Sequence, residues 1–282
     1  GVVDAVGEGV SGVRTGDRAA VNAIVPCMRC EFCRVGLYQI CSNLEHYGFH
    51  HPGGFAEYTL VPAANVLPLP DDVGFPEAAL LDVLVVGVHA VHIAGISIAD
   101  RVAVLGAGPI GLAMAGVAKR AGARRIFITA KHAPQKDLAR RIGVPVVLDA
   151  QHDDVVQRIM QETSGLGVDC VLESVGYTSK TIDLGLDLVR KGGRVVFTGV
   201  FEEKVSLDFG KVLIKEASIE ASHAFGLWNL VPELELALQL LREGVFPARD
   251  MVTHTFPLEK INEAFHVKLD TPETAMKVEI LF

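Results

Sequence analysis

The stretch Val102-Ala-Val-Leu-Gly-Ala-Gly-Pro-Ile-Gly111 decides how this chain folds. Its apolar start, without alternation, is typical of a strand buried on both faces of a parallel sheet. The glycine pattern that follows opens a helix-length segment, where it permits a tight turn, close approach of a diphosphate and close helix–strand packing. A tight connection without a ligand is the alternative. We predict a dinucleotide-binding turn whose contact residues are Gly106, Gly108, Pro109, Ile110 and Gly111.

Apolar strands and helix-length segments alternate downstream of this turn, which is the pattern of a doubly wound parallel sheet of the α/β class. The predicted strands are residues 101–105, 125–129, 144–148, 169–173 and 193–199. The predicted helices are residues 108–121, 135–142 and 181–189. The sequence therefore predicts a Rossmann sheet.

The end of the second strand indicates which nucleotide is bound. NAD sites place a carboxylate there, on the ribose 2′-hydroxyl. This strand ends Ile128-Thr-Ala-Lys-His132 and has none. A 2′-phosphate would instead meet Thr129, Ala130 and Lys131, with Arg125 nearby. We expect NADP rather than NAD, the alternative being that Lys131 and His132 are a solvated loop.

Cys27, Cys30, Cys33 and Cys41 lie within fifteen consecutive residues. Four thiolates at this spacing can enclose a tetrahedral ion, and all-sulfur ligation without an open position indicates a structural zinc. An iron–sulfur cluster is the alternative. We interpret Cys170, in an apolar strand, as a buried small side chain.

The rest of the composition limits partners and location. Residues 1–81 contain short β-prone runs, including 18–25 and 54–61, separated by turn signals. The apolar stretch Leu80–Ala99 has the length of a membrane span but carries Asp82 and two histidines, so we interpret it as buried in a globular protein. A net charge of −8 argues against nucleic acid and anionic membranes. A small-molecule ligand fits this charge better. Because no signal-peptide pattern is visible, we also expect a cytoplasmic protein.

With the cysteine loop ahead of the glycine-rich turn, the chain resembles the zinc-containing medium-chain dehydrogenase/reductase family. The similarity is strongest to the sorbitol, threonine and sugar-alcohol branch of that family. The similar segments are Gly53-Gly-Phe-Ala-Glu-Tyr58, Gly87-Val-His-Ala90, Gly192-Gly-Arg-Val-Val196, Thr253-His-Thr-Phe-Pro257 and Lys277-Val278. The resemblance implies a partial GroES-like catalytic domain over 1–84 with its zinc loop at 27–41. It also implies a Rossmann domain over 85–223, a return to the catalytic domain over 224–282, and hydride transfer between a secondary alcohol or polyol and NADP(H).

The resemblance also assigns residues. Asp82 falls on the last ligand of the family's catalytic zinc, and Val175, Val200 and Lys277 on cofactor contacts. The other two zinc ligands would lie upstream of Gly1, and we expect about 60 residues there from the family pattern and a two-domain size. A complete catalytic zinc is expected only with them. Read alone, Asp82 is a candidate helix N-cap.

Two other functions fit the same residues. One is a noncatalytic NADP-binding protein with a structural zinc, which the absent ligands favour. The other is a zinc-free enone or quinone reductase, which the four-cysteine loop opposes. Oligomerisation through the region 195–222, as homodimer or homotetramer, is a further implication of the resemblance.

Overall fold

A computed structural model describes residues 1–177, 181–202 and 204–282. The chain forms two compact units. The first contains Gly1–Val85, Phe225–Gly244 and Ala248–Phe282, and the second contains Val86–Ala224 and Val245–Pro247.

The N-terminal part of the first unit is made of short elements. They are β1 Ala19–Val21, β2 Ile24–Val25, α1 Glu31–Arg34, β3 Glu45–His46, β4 Val66–Pro68, α2 Phe75–Ala78 and α3 Leu81–Ala94, the last of which continues into the second unit. β1 pairs with β4 and β2 with β3, both antiparallel. The buried Asn65 amide donates to the carbonyls of Asn22 and Ile24 at 2.9 and 2.6 Å, and so joins the two pairs.

The predicted β-prone run 54–61 is not a strand in the structure. Phe55, Tyr58 and Leu60 are exposed, and no ladder pairs this segment with another among the described residues. Local β propensity is insufficient here, because a strand also needs a partner for its N–H and C=O groups.

The second unit holds a six-stranded parallel sheet. Its elements are β5 Arg101–Leu105, α4 Pro109–Arg120, β6 Arg125–Ala130, α5 Ala133–Arg141, β7 Val146–Asp149, α6 Val155–Glu162, β8 Val168–Glu173, α7 Thr181–Leu188, β9 Val189–Phe197, α8 Phe209–Lys215 and β10 Ser218–Ala221. The strand order is β10-β9-β8-β5-β6-β7. The predicted α/β fold with a Rossmann sheet is confirmed.

The order of the strands positions the site. The chain runs outward from β5 through β6 and β7, then returns to β8 on the other side of β5. The carboxyl ends of β5 and β8 therefore flank the topological switch point, where open α/β sheets bind ligands. Leu105 is in register with Glu173, and Glu173 with Phe197, so these residues lie side by side at that edge.

Glycine lets the helices approach closely. A Cβ on Gly87 of α3 would lie 2.8 Å from the Ala113 Cβ of α4, and one on Gly116 would lie 2.5 Å from the carbonyl oxygen of Val245. The predicted burial of the apolar stretch is confirmed for α3. Phe75–Ala94 is long and apolar enough to cross a membrane, but 67% of its most apolar window is buried in the structure, as in the core helix of a globular protein.

The C-terminal part completes the first unit. Its elements are β11 Leu227–Trp228, β12 Val231–Pro232, α9 Glu233–Arg242, α10 Ala248–Met251, β13 Val252–Pro257, α11 Ile261–Asp270 and β14 Lys277–Leu281. β13 and β14 run parallel. Arg249 of α10 pairs with Glu77 of α2, and Arg242 of α9 pairs with Asp72 at 2.9 Å, so this segment is joined to the N-terminal part of the same unit.

Candidate nucleotide and metal sites

The glycine-rich turn lies between β5 and α4, at the switch point of the sheet. Gly106 has φ +95°, a left-handed conformation that favours glycine. A Cβ on Gly111 would lie 1.9 Å from the carbonyl oxygen of Gly106, whereas one on Gly108 would meet nothing within 4 Å. The space beside Gly108 is therefore open, at the N-terminus of a twelve-residue helix.

That helix end suits an anion. The N-cap is Gly108, which has no side chain to cap the first N–H groups, and the half-buried Pro109 and Ile110 begin the first turn. The first backbone N–H groups of a helix lack intrahelical acceptors, and the helix dipole places partial positive charge on them. A diphosphate is the ligand for which this geometry is suited.

The side chain of Thr129 binds the backbone of the glycine turn. This side chain is buried, and its Oγ1 accepts a hydrogen bond from the Gly106 N–H at 2.9 Å. Ala130 is also buried, so of the three residues expected at a 2′-phosphate only Lys131 is exposed. The Gln135 side chain accepts hydrogen bonds from the N–H groups of Lys131 and His132 at 3.1 Å, which fixes the backbone there.

The expected proximity of Arg125 to the ribose is wrong. Arg125 begins β6 and Ala130 ends it, so about 16 Å of strand separates Arg125 from the edge where the nucleotide turn lies. Arg125 instead pairs with Glu162 at 2.5 Å. The physical reason is that parallel strands present ligand-facing residues only at their carboxyl ends.

Val175 and Val200 follow the carboxyl ends of β8 and β9. Their loops are joined, since the Tyr177 N–H donates to the Val200 carbonyl at 2.6 Å. The Ser174 hydroxyl donates to the Leu105 carbonyl at 2.9 Å, which ties the first loop to the glycine turn. A Cβ on Gly106 would lie 2.8 Å from the Val175 side chain. The structure therefore brings Val175 and Val200 to the same edge of the sheet as the turn.

The four loop cysteines converge in the first unit. Their sulfur atoms all lie within 4.8 Å of one another, and the Sγ atoms of Cys30 and Cys41 are 3.8 Å apart. A tetrahedral ion with zinc–sulfur bonds of about 2.3 Å places its sulfurs about 3.8 Å apart, so this donor set fits zinc. Cys27 and Cys30 are half buried, and Cys33 and Cys41 are buried.

Backbone N–H groups prepare part of this cluster for ionisation. The Cys33 backbone nitrogen lies 3.5 Å from the Cys30 sulfur, and this hydrogen bond, with weaker ones from Ser42 and Cys41, lowers the pKa of Cys30 to about 6. Burial raises the pKa of Cys33 to about 12. Four thiolates in such proximity repel one another, and a bound cation removes that penalty.

Comparisons with known proteins agree with this geometry. Residues 1–71 match the family model of the alcohol dehydrogenase GroES-like domain, and residues 109–243 match that of the zinc-binding dehydrogenase. The chain is 34% identical to L-threonine 3-dehydrogenase of Pyrococcus furiosus, over 95% of this chain and 76% of that protein. It is 32% identical to sorbitol dehydrogenase of Halalkalibacterium halodurans, over 94% and 77%.

The chain belongs to the zinc-containing medium-chain alcohol dehydrogenase family. This confirms the resemblance, and the activity class is that of NAD(P)-dependent alcohol and polyol dehydrogenases.

Two solved structures of similar dehydrogenases hold nucleotides. A putative zinc-binding dehydrogenase from Sinorhizobium meliloti bound to NADP superposes with a TM-score of 0.87 at 29% identity, covering 99% of this chain and 80% of that one. An alcohol dehydrogenase from Escherichia coli complexed with NADH gives 0.88 at 25% identity, covering 99% and 80%.

Asp82 and Lys277 complete the residues predicted from the family resemblance. Asp82 is the second residue of α3 and is exposed, so it lies inside the helix rather than at its N-cap. Among the described residues, it belongs to no group of three His, Cys, Asp or Glu side chains with ligand atoms within 4.8 Å. Lys277 begins β14 in the first unit, half buried. Their assigned roles stay predictions.

Sequence reasoning missed Glu173, which ends β8 and is fully buried. An acidic residue that closes an otherwise apolar strand, at the carboxyl edge of a Rossmann sheet, was the signal that could have identified it.

Proposed function

We propose that this medium-chain dehydrogenase transfers hydride between a secondary alcohol or polyol and NADP(H). The observation that carries the proposal is the open N-terminus of α4 above Gly108, at the switch point of the sheet. A nicotinamide nucleotide bound there supplies a carbon that accepts or donates hydride. The protein's own residues bind and orient the nucleotide. The glycine turn binds its diphosphate, and the loops that contain Val175 and Val200 bind its nicotinamide end.

Lys131 supports NADP over NAD. It is exposed after β6, and residues 128–132 include no carboxylate to hold a ribose diol. An ammonium group beside a 2′-phosphate stabilises that dianion, whereas a carboxylate there would repel it. Both NADP and NADH occur in the similar solved structures, so the family alone does not decide the preference.

The cysteine cluster is proposed to hold a structural zinc. Its four ligands Cys27, Cys30, Cys33 and Cys41 leave no position for a substrate, so this ion stabilises the loop and takes no part in the chemistry. For the catalytic zinc, Asp82 is the proposed ligand within this chain. The described residues do not complete that site.

The substrate class rests on the relatives. Proteins of similar sequence include dehydrogenases named for threonine, sorbitol and erythritol or threitol, and these compounds share a secondary hydroxyl next to a second polar group. We propose a substrate of this kind for a cytoplasmic enzyme. The edge strand β10 and the exposed Phe209, Leu213 and Ile214 of α8 support a homodimer or homotetramer through residues 195–222.

The test combines metal analysis, nucleotide binding and turnover. We expect one tightly held zinc in the cysteine loop, tighter binding of NADPH than NADH by fluorescence titration, and NADP reduction with a secondary alcohol or polyol. Iron instead of zinc would refute the structural zinc. Tighter binding of NADH would refute the cofactor preference. Nucleotide binding without turnover of any such alcohol would favour the noncatalytic NADP-binding alternative.

A further inference from the structure

We propose that Glu173 is the positioning residue that holds the two loops around the nicotinamide end of the nucleotide. The inference rests on the proposed function, because it assumes that a nicotinamide nucleotide occupies the switch point. It goes beyond that function by assigning the order of the loop after β8 to one buried carboxylate, packed against the loop after β9 that the backbone carbonyl of the same residue binds.

The side chain of Glu173 fixes the loop after β8. Its Oε1 accepts hydrogen bonds from the N–H groups of Val175 and Gly176 at 2.8 and 2.9 Å. The Thr181 hydroxyl donates to the same oxygen at 2.7 Å, at the start of α7. One carboxylate oxygen therefore joins the end of β8, the loop that follows and the next helix.

The backbone of Glu173 fixes the loop after β9. Its carbonyl oxygen accepts from the N–H groups of Thr198 and Gly199 at 3.0 and 3.4 Å. A Cβ on Gly199 would lie 2.6 Å from the Glu173 Oε2, and a Cβ on Gly176 would lie 2.5 Å from the Val200 carbonyl. Glycine at both positions lets the two loops close around the carboxylate.

The energetics argue against a purely structural role. Glu173 is 0% exposed, and its Oε2 has no hydrogen-bond partner among the described residues. An unsatisfied buried carboxylate oxygen carries a desolvation cost that an apolar side chain at this strand end would avoid. Sites that retain such a cost are commonly functional.

The groups that Glu173 holds are the ones open to a ligand. Val200 is 80% exposed and Val175 is 37% exposed, although Glu173 binds the Val175 N–H and the Tyr177 N–H binds the Val200 carbonyl. The glycine turn and Lys131, by contrast, are held by Thr129 and Gln135. A change at Glu173 should therefore weaken the nicotinamide contacts and spare those of the diphosphate and adenosine.

The test compares the binding of two ligands to four proteins: the wild type, two Glu173 variants and one control variant. NADPH contains the nicotinamide, and 2′-phospho-ADP-ribose lacks it. For Glu173→Ala we expect the Kd of NADPH to rise about tenfold or more, and that of 2′-phospho-ADP-ribose to change by less than about twofold. Glu173→Gln keeps an acceptor oxygen, so its effect should have the same direction and be smaller.

Asp169→Asn is the matched control. Asp169 is a second buried carboxylate of β8, at the opposite end of the strand, where it binds Arg101 and Arg190. Its replacement should lower the unfolding temperature and leave the ratio of the two dissociation constants unchanged.

Each outcome has one meaning. Equal weakening of both ligands in the Glu173 variants, or none, overturns the positioning role. If Glu173→Ala does not fold, the ratio for Glu173→Gln decides. If wild-type protein prefers NADH, NADH and ADP-ribose replace the phosphorylated pair, and only the NADP preference falls. If it binds neither nucleotide, the proposed function falls and the inference with it.

Discussion

A Cβ atom on Gly111 would lie 1.9 Å from the carbonyl oxygen of Gly106, inside the contact distance of any two non-bonded atoms. The first turn of α4 therefore meets the end of β5 at a separation that only glycine permits. We expect Gly111→Ala to lower the free energy of unfolding by about 2–4 kcal/mol, because helix and strand must separate. Urea denaturation measures this, and an unchanged midpoint would contradict the close packing.

Gly108→Ala separates binding from stability at the same turn. Nothing lies within 4 Å of a Cβ at Gly108, and its φ of −69° suits any residue. Stability should stay within about 0.5 kcal/mol of wild type, while the added methyl group occupies the space proposed for the diphosphate. We expect nucleotide affinity to fall about tenfold or more by fluorescence titration. Unchanged affinity would place the diphosphate elsewhere.

Replacing one zinc ligand should release the ion. Cys33→Ala removes a buried member of the cluster, and we expect zinc content by mass spectrometry to fall from one ion to none per chain, with a lower Tm. Cys170→Ala is the control, because Cys170 is fully buried in β8 and belongs to no metal-ligand cluster in the described part of the chain. It should keep its zinc. Loss of zinc in the control would mean that the metal is held elsewhere.

Lys131→Ala should shift the nucleotide preference. Removing one ammonium group from a 2′-phosphate costs about 1–3 kcal/mol, so NADPH should bind about tenfold more weakly while NADH is unaffected. Arg125→Ala is the paired control, because Arg125 lies at the other end of β6. A changed NADPH-to-NADH ratio in that control would restore Arg125 as a ribose contact.

Glu279 should make the stability of the first unit depend on pH. It is buried in β14, in register with Thr255, and its Oε1 lacks a partner among the described residues. Burial raises the pKa of Glu279 to about 7. The folded state then binds more protons than the unfolded state between about pH 4.3 and 7, so this group's contribution falls as pH rises through that window.

Glu279→Gln removes the titration and keeps the shape. We expect the variant to be about 1–3 kcal/mol more stable than wild type at pH 8, with the difference shrinking towards pH 4. Thermal unfolding across this range measures it. A constant difference at all pH values would show that Glu279 does not titrate in the window.

The features that depend on a local sequence pattern were predicted correctly from the sequence. Non-alternating strands such as Val102–Leu105 and the glycines of the turn imply the parallel sheet, because both features follow from burial and steric fit along one segment. The spacing of the four cysteines in sequence was enough to predict that their sulfur atoms form one cluster. These parts of the fold needed no knowledge of which strands become neighbours.

Other features depend on neighbours that only the folded chain supplies. The pairing of β5 with β6 decides the partner of the Thr129 hydroxyl. It accepts from the Gly106 N–H rather than facing a ligand. Arg125 was misplaced because distance in sequence does not show which end of a strand faces the ligand. Glu173 was missed because its complete burial depends on Leu105 of β5 and Phe197 of β9, which lie on either side of it in the folded sheet.

β8 is held by a carboxylate at each end. Asp169 binds Arg101 on β5 and Arg190 on β9, and these arginines hold its pKa below the usual range despite burial, while Glu173 secures the far end. A strand anchored at both ends resists sliding and fraying. Its amides should exchange with deuterium most slowly in the sheet, and those of the edge strands β7 and β10 sooner, so local opening would begin at the margins and spare the strand that carries the Val175 loop.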